Sequence, residues 1–396
     1  MVRRTQNTFS RWGKCLFVLT LLIAFPFSPV LGADDDRQRE GLHVGPVDLH
    51  PYLDFAMAYN DNITLLQSHP IGDFVFLINP GMQAVYGQTE RNYVALDYTA
   101  GFEEYLRRDD FDCLNHHVKF TGHLQLRQWT FNAAHRFDEM TGPNTQIGAR
   151  VHSRDNITNL DAEYRFSQKT SIGIGYNQSF HDYFTAGYFN SAEYSPHITL
   201  FYHLTPKTDI FARFALGWVE VEQSESSTYE EFDFGIRGKI TPKVTGTVRF
   251  GLQMRSFSGA NANDLTSFVA AADLEAQLTK RTKLMLGISR NIEPSATVPG
   301  AEFEATRFEA KLSYSPARKK LTYWLAGVYE YDEYTYGNYK GVDRAANFFS
   351  ASVGVSWDAT KKIQLGIEYL FWYSTSQQQA LDFERNLISI HGRAHF

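Results

Sequence analysis

Cysteine is almost missing from this 396-residue chain. Only Cys15 and Cys113 occur, so no framework of disulfides can hold the fold together. Beyond the first thirty or so positions there is also no apolar run approaching the ~20 residues that a membrane-spanning helix needs. An excess of one charge is lacking as well. Thirty-eight Lys and Arg stand against 44 Asp and Glu, a net charge of −6, and no basic stripe suggests nucleic acid as a partner. No Gly-rich phosphate loop follows a strand and no Cys-x-x-Cys occurs, so the sequence points to no cofactor.

Aromatic residues, by contrast, are abundant. They make up 15% of the chain, with 22 Tyr and 31 Phe, while the mean hydropathy is only −0.34. Many aromatics without long apolar runs is what alternating strands girdled at two interfaces produce. The amino-terminal end adds a compartment. Arg3, Arg4, Arg11 and Lys14 precede the apolar run from Leu16 to Phe27, and Val30, Leu31, Gly32 and Ala33 then lead into Asp34, Asp35 and Asp36. Residues 1–32 are therefore expected to be a secretory signal peptide and 33–46 a short periplasmic segment. An uncleaved anchor helix is disfavoured by the short run and by Pro26 within it.

Polar, basic turn signals recur at an interval of roughly 38 residues. Examples are Ser167–Thr170, Thr205–Thr208, Thr241–Lys243, Thr279–Thr282 and Asp358–Lys362. A helical solenoid could share this period, but the pattern between turns has period two. Val244, Val248, Phe250, Leu252 and Met254 share one parity, and Thr245, Thr247, Arg249, Gln253 and Arg255 the other. Phe308, Ala310, Leu312 and Tyr314 likewise oppose Arg307, Glu309, Lys311 and Ser313. A strand keeps such sets on separate faces, whereas a helix mixes them.

A soluble β-sandwich would also alternate. Three features favour a barrel in a membrane. The strands run about 10–15 residues, against about five or six in soluble sheets. Connections on one side are uniformly short, and those on the other longer and more varied; residues 138–157 are read as the longest of these loops. The chain closes on a strand, Leu387 to Phe396, with an aromatic last residue. Nine long connections and eight short turns require eighteen strands. The expected fold is thus an all-β, antiparallel, up-and-down transmembrane barrel over residues 47–396, placed in the bacterial outer membrane, with a water-filled lumen. Outer-membrane lipids and lipopolysaccharide would surround it, and the barrel-assembly machinery would read the strand ending at Phe396.

Sites of chemistry are harder to find. His116, His117, His123 and His135 invite a metal or phospholipase reading, but parity puts His123 on the lumen side and His135 on the opposite face. The acidic stretches 109–112 and 34–36 lack the Gly-punctuated spacing of a calcium loop. Cys113 falls in an acidic stretch read as loop. What remains is the inner wall, expected to carry Arg213, Asp233, Arg237, Arg249, Arg255, Arg307, Glu309 and Glu368, with Arg385 and Arg393. These charges can pair across strands and keep the wall wet, or set a transverse field that selects polar solutes. Phe201, Phe211 and Trp372 are also expected to face inward.

The segments His50–Leu53, Tyr59–Ile63, Asn79–Met82 and the tyrosines at 93, 98 and 105 carry a resemblance. The chain resembles the outer-membrane group described as putative beta-barrel porin 2, along the whole mature length. The resemblance implies a conduit, often associated with surface-polysaccharide export, and would bring in periplasmic export components as partners. It supplies no set of functional residues. The expected function is therefore a passive, non-enzymatic conduit for hydrophilic solute, linked to exopolysaccharide export. The alternatives are a plugged structural or adhesive barrel and, third, an outer-membrane enzyme.

Overall fold

The computed structural model describes residues 41–88, 91–224, 226–258, 264–298, 301–316, 320–337, 344–377 and 382–396. The expected signal, residues 1–32, and most of the segment after it lie outside the described residues. A short strand, β1 (Leu42–Val44), comes first. The wall then consists of β2 (Val47–Asn60), β3 (Asp73–Gly87), β4 (Tyr93–Tyr105), β5 (Cys113–Gln125), β6 (Trp129–Asn144), β7 (Ala149–Arg165), β8 (Thr170–Tyr183), β9 (Ser191–Thr205) and β10 (Thr208–Val221). It continues through β11 (Ser227–Thr241), β12 (Val244–Phe257), β13 (Leu265–Thr279), β14 (Thr282–Pro294), β15 (Ala301–Tyr314), β16 (Leu321–Gly337), β17 (Arg344–Asp358), β18 (Ile363–Ser376) and β19 (Phe383–His395).

Each strand from β2 to β19 pairs antiparallel with its sequence neighbours, and β19 returns to β2 through Leu387 opposite Asn60 and Arg393 opposite Asp54. The result is the closed eighteen-stranded barrel that the turn count requires. Closure leaves no unpaired edge, which is what a sheet surrounded by lipid needs. β1 adds three residues folded back on β2.

Five of the short turns share one device. A hydroxyl at the turn's start accepts a backbone N–H two residues on: Ser167 from Lys169, Thr205 from Lys207, Thr241 from Lys243, Thr279 from Arg281 and Thr360 from Lys362, all at 3.0–3.3 Å. Ser and Thr substitute here for a backbone acceptor and fix the register of each hairpin.

The outer face carries the apolar parity. Phe234, Phe250, Leu252 and Phe308 are exposed on it. Tyr86, Trp129, Tyr202, Tyr314, Tyr323 and Trp357 line its short-turn margin, and Tyr59, Trp218 and Tyr373 lie toward the loop end. Lumen residues change character along the barrel axis. Near the short turns Lys119, Lys239, Asp273 and Glu275 are exposed, whereas toward the loops Asp233, Gln253 and Arg255 are buried.

Two sequence expectations are corrected here. Residues 138–157 are not a long loop, because β6 runs on to Asn144 and β7 begins at Ala149, leaving only 145–148 as a turn. Polar side chains outside the lipid zone leave no hydrophobic alternation, so the strand continues without its usual signal. Cys113 is not in a loop either but opens β5, half-buried.

Candidate functional site: the lumen and its two inward hairpins

The inner wall assembles several charged clusters. Arg213 on β10 and Arg249 on β12 flank two acids of β11. Arg213 Nη1 lies 2.9 Å from Glu231 and 2.8 Å from Asp233, and Arg249 Nη1 lies 2.9 and 3.1 Å from the same two. Gln253 Nε2 donates to the remaining Glu231 oxygen at 2.9 Å. Two cations between two anions cancel locally, and cross-strand pairing places them there because Arg213 faces Asp233 and Glu231 faces Gln253.

Arg237 stands apart from that cluster. It donates to Asp209 at 2.9 Å and to Glu163 at 2.6 Å, with its guanidinium 3.7 Å over the Phe201 ring. Arg307 pairs with Glu330 at 2.7 Å and with Glu309 on its own strand. Arg393 pairs with Asp54 across the β19–β2 closure. Glu368 lies buried opposite Gly354, beside Ser352, Trp324 and Lys311. Near it the Trp324 and His391 rings approach to 6.2 Å across two intervening strands. Gly354 and Gly366 make room: a Cβ on either would stand 2.1 or 2.2 Å from the nearest ring atom.

The histidines do not converge. His117 meets Asp138 at 2.7 Å and His123 meets Asn132 at 2.7 Å, while His135 bonds Thr158 on the outer parity. Among the described residues no group of three or more His, Cys, Asp or Glu could hold a metal ion.

The larger finding is at the loop end. Pairing between β13 and β14 stops at Ala270 opposite Arg290, although β14 continues to Pro294. Pairing between β5 and β6 stops at His116 opposite Glu139, although β6 continues to Asn144. Beyond these points the β6–β7 hairpin parts from β5, and the β14–β15 hairpin, still paired with the end of β16, parts from β13, and both turn inward. Their outward parity then meets the inner wall. Glu302 and Glu304 share parity with lipid-side Phe308, yet Glu302 lies 2.7 Å from Arg255 and accepts from Ser227 at 3.0 Å, and Glu304 bonds Ser267 and Arg290. Arg150 shares parity with Leu160, yet its guanidinium reaches Tyr105 Oη at 2.7 Å and Glu103 at 3.4 Å on β4.

The two hairpins meet. Gln146 Nε2 donates to Glu293 Oε2 at 3.4 Å, and beside them Phe189 N donates to the Ala296 carbonyl at 3.0 Å. The strand count implied a water-filled lumen without saying how open it is; its loop-end half is crossed by the chain's own hairpins. Glu231, Glu302, Glu304, Glu293, Arg150 and Gln146 are the residues that the inner-wall reading missed. A signal existed for two of them, since Glu302 and Glu304 place charge on the parity that is otherwise apolar in β15.

The arrangement is a charge-compensated, aqueous wall with a narrowed outer half, which suits passage or retention of polar molecules rather than bond-making chemistry. A family model described as putative beta-barrel porin 2 matches residues 37–396. The barrel is similar to the outer membrane protein OpdK from Pseudomonas aeruginosa, at 10% identity over 88% of this chain and 99% of that one, with a TM-score of 0.42. It is likewise similar to Pseudomonas aeruginosa OccK2 in complex with glucuronate, at 10% identity, 88% and 98% coverage and a TM-score of 0.45. For Acinetobacter baumannii OccAB3 the figures are 10%, 88%, 99% and 0.44. Among curated proteins none matches.

Proposed function

The chain belongs to the putative beta-barrel porin 2 family of outer-membrane barrels, and from that premise we propose that it is a passive conduit for hydrophilic solutes. One observation carries the reading: the inner wall is lined from β7 to β19 by charges of both signs, most of them paired with a neighbour of opposite sign. Such a wall stays wet without strong preference for cations or anions. Family and fold point to a channel rather than an enzyme.

Carbohydrate is the solute class that the wall suits best. Phe201, Phe211 and Trp324 lie buried on its inner parity, and flat apolar rings beside charged hydrogen-bonding groups offer what a sugar ring needs on its two kinds of face. Linkage to exopolysaccharide export, with periplasmic export components as partners, is the more specific form of this proposal. Lipopolysaccharide would surround the outer leaflet, and the assembly machinery would read the strand ending at Phe396.

The test is swelling of proteoliposomes in maltooligosaccharides of increasing length. A graded size limit supports the conduit. Passage of long chains, together with co-purification of periplasmic export components, supports polymer export. Exclusion of every solute by folded protein favours the plugged structural barrel, a reading that the meeting of Gln146 and Glu293 keeps in play.

A further inference from the structure

Most buried or half-buried arginines of the inner wall have a carboxylate partner: Arg213, Arg237, Arg249, Arg255, Arg307 and Arg393 all do. Arg385 does not. It projects from β19 beside the closure seam, 9% exposed, and among the described residues no carboxylate comes within 4.0 Å of it. Its Nε donates to the neutral amide oxygen of Asn60 at 3.2 Å, and its guanidinium rests 4.4 Å over the Trp372 ring.

Glu103 and Asp61, two acids whose charge bears on Arg385, are both committed elsewhere. Glu103 accepts from Asn115 at 3.0 Å, from Tyr105 at 3.2 Å and from Arg150 at 3.4 Å. Asp61 accepts the backbone and side-chain N–H groups of Asn386 at 2.6 and 2.8 Å. Arg150, a second cation, is also near enough to be felt. The terminal amino groups of Arg385 have no protein acceptor among the described residues. A guanidinium cannot shed its proton to relieve burial, so a charge in this position costs free energy until an anion arrives.

We propose that Arg385 is the anion-recognition point of the lumen, taking the carboxylate of a small monoanionic solute such as a sugar acid. The site rests on the conduit reading for its access route but not for its chemistry. A planar guanidinium offers two parallel N–H donors to a carboxylate, and here Nε is held by Asn60 and one face by Trp372, leaving the terminal amino groups as donors. Asn60 and Trp372 are the positioning residues. The solute would be met at the loop end of the barrel, near the seam where β19 closes on β2.

The experiment is calorimetric titration of detergent-folded, full-length protein with galacturonate, its neutral methyl ester and galactose. Galacturonate should bind about tenfold or more tightly than the other two, the worth of a charge-assisted pair. R385Q, checked for its heat-modifiable mobility, should remove that difference, and R385K should weaken it because an ammonium offers no fork. Equal binding of acid and ester to the wild type overturns the proposal without any variant, as does an undiminished preference in R385Q. Bilayer conductance of the same wild-type sample separates the two readings. A silent bilayer with selective galacturonate binding removes the conduit and keeps the site, and a conducting pore with no acid preference does the reverse.

Discussion

Gln146 and Glu293 belong to hairpins rooted on different sides of the barrel, yet Gln146 Nε2 reaches Glu293 Oε2 at 3.4 Å. The contact means that the route through the outer half is set by two protein segments and not by the barrel's circumference. If so, removing residues 143–148 from the β6–β7 tip should raise single-channel conductance in planar bilayers. Unchanged conductance would place the path elsewhere.

The inward course of β14–β15 is pinned by a buried ion pair, Arg255 with Glu302, whose side chains are 1% and 6% exposed. Glu302→Gln leaves the guanidinium buried without its anion and should cost about 3–5 kcal/mol. Replacing both, Arg255→Met with Glu302→Leu, should cost far less. Urea midpoints of refolded protein in vesicles would check the order, and equal losses would mean that the pair is not buried as described.

Face assignment can be tested by charge on β12. Phe250→Arg puts a cation against lipid, at about 2–4 kcal/mol near the midplane. Thr247→Arg, on the lumen parity, should be tolerated. Gln253 is unsuitable as the lumen control, because it is buried and bonded to Glu231. Equal loss of folded, heat-modifiable protein in both variants would mean the register is wrong.

The exposed lumen acids near the short turns should dominate selectivity, since most of the deeper charges are paired. Asp273→Asn with Glu275→Gln should move the reversal potential in a salt gradient toward anions. Among the described residues Glu275 pairs only with Lys283, at 3.1 Å, and remains half-exposed. An unchanged potential would show that ions do not pass this wall.

Phe396 is exposed, with its backbone N–H bonded to the Pro51 carbonyl at 3.1 Å. Little packing depends on its ring, so deleting it should leave refolding in detergent intact while lowering assembly in cells. Normal surface levels of the truncated protein would end the idea that its ring is read during insertion.

The sequence by itself determined the barrel. Period-two alternation in segments such as Val244–Arg255 assigns a lipid face and a lumen face, and hydroxyl-capped turns at Thr205, Thr241 and Thr360 count the strands. Both signals are local, carried by neighbouring side chains and by backbone N–H groups two residues away. The sequence also placed Arg213, Asp233, Arg237, Arg249, Arg255, Arg307, Glu309 and Glu368 on inner-wall strands by parity alone. Only the tertiary structure decided which of them touch. Arg213 and Arg249 meet over the same two acids, while Arg237 and Arg307 go to separate partners. It alone decided that two hairpins leave the wall, because parity tells which face a residue occupies and not what that face meets. Arg150 and Glu302 sit on the outward parity, and the bend of the backbone, set by contacts far along the chain with Glu103 and Arg255, turns that face toward the lumen wall.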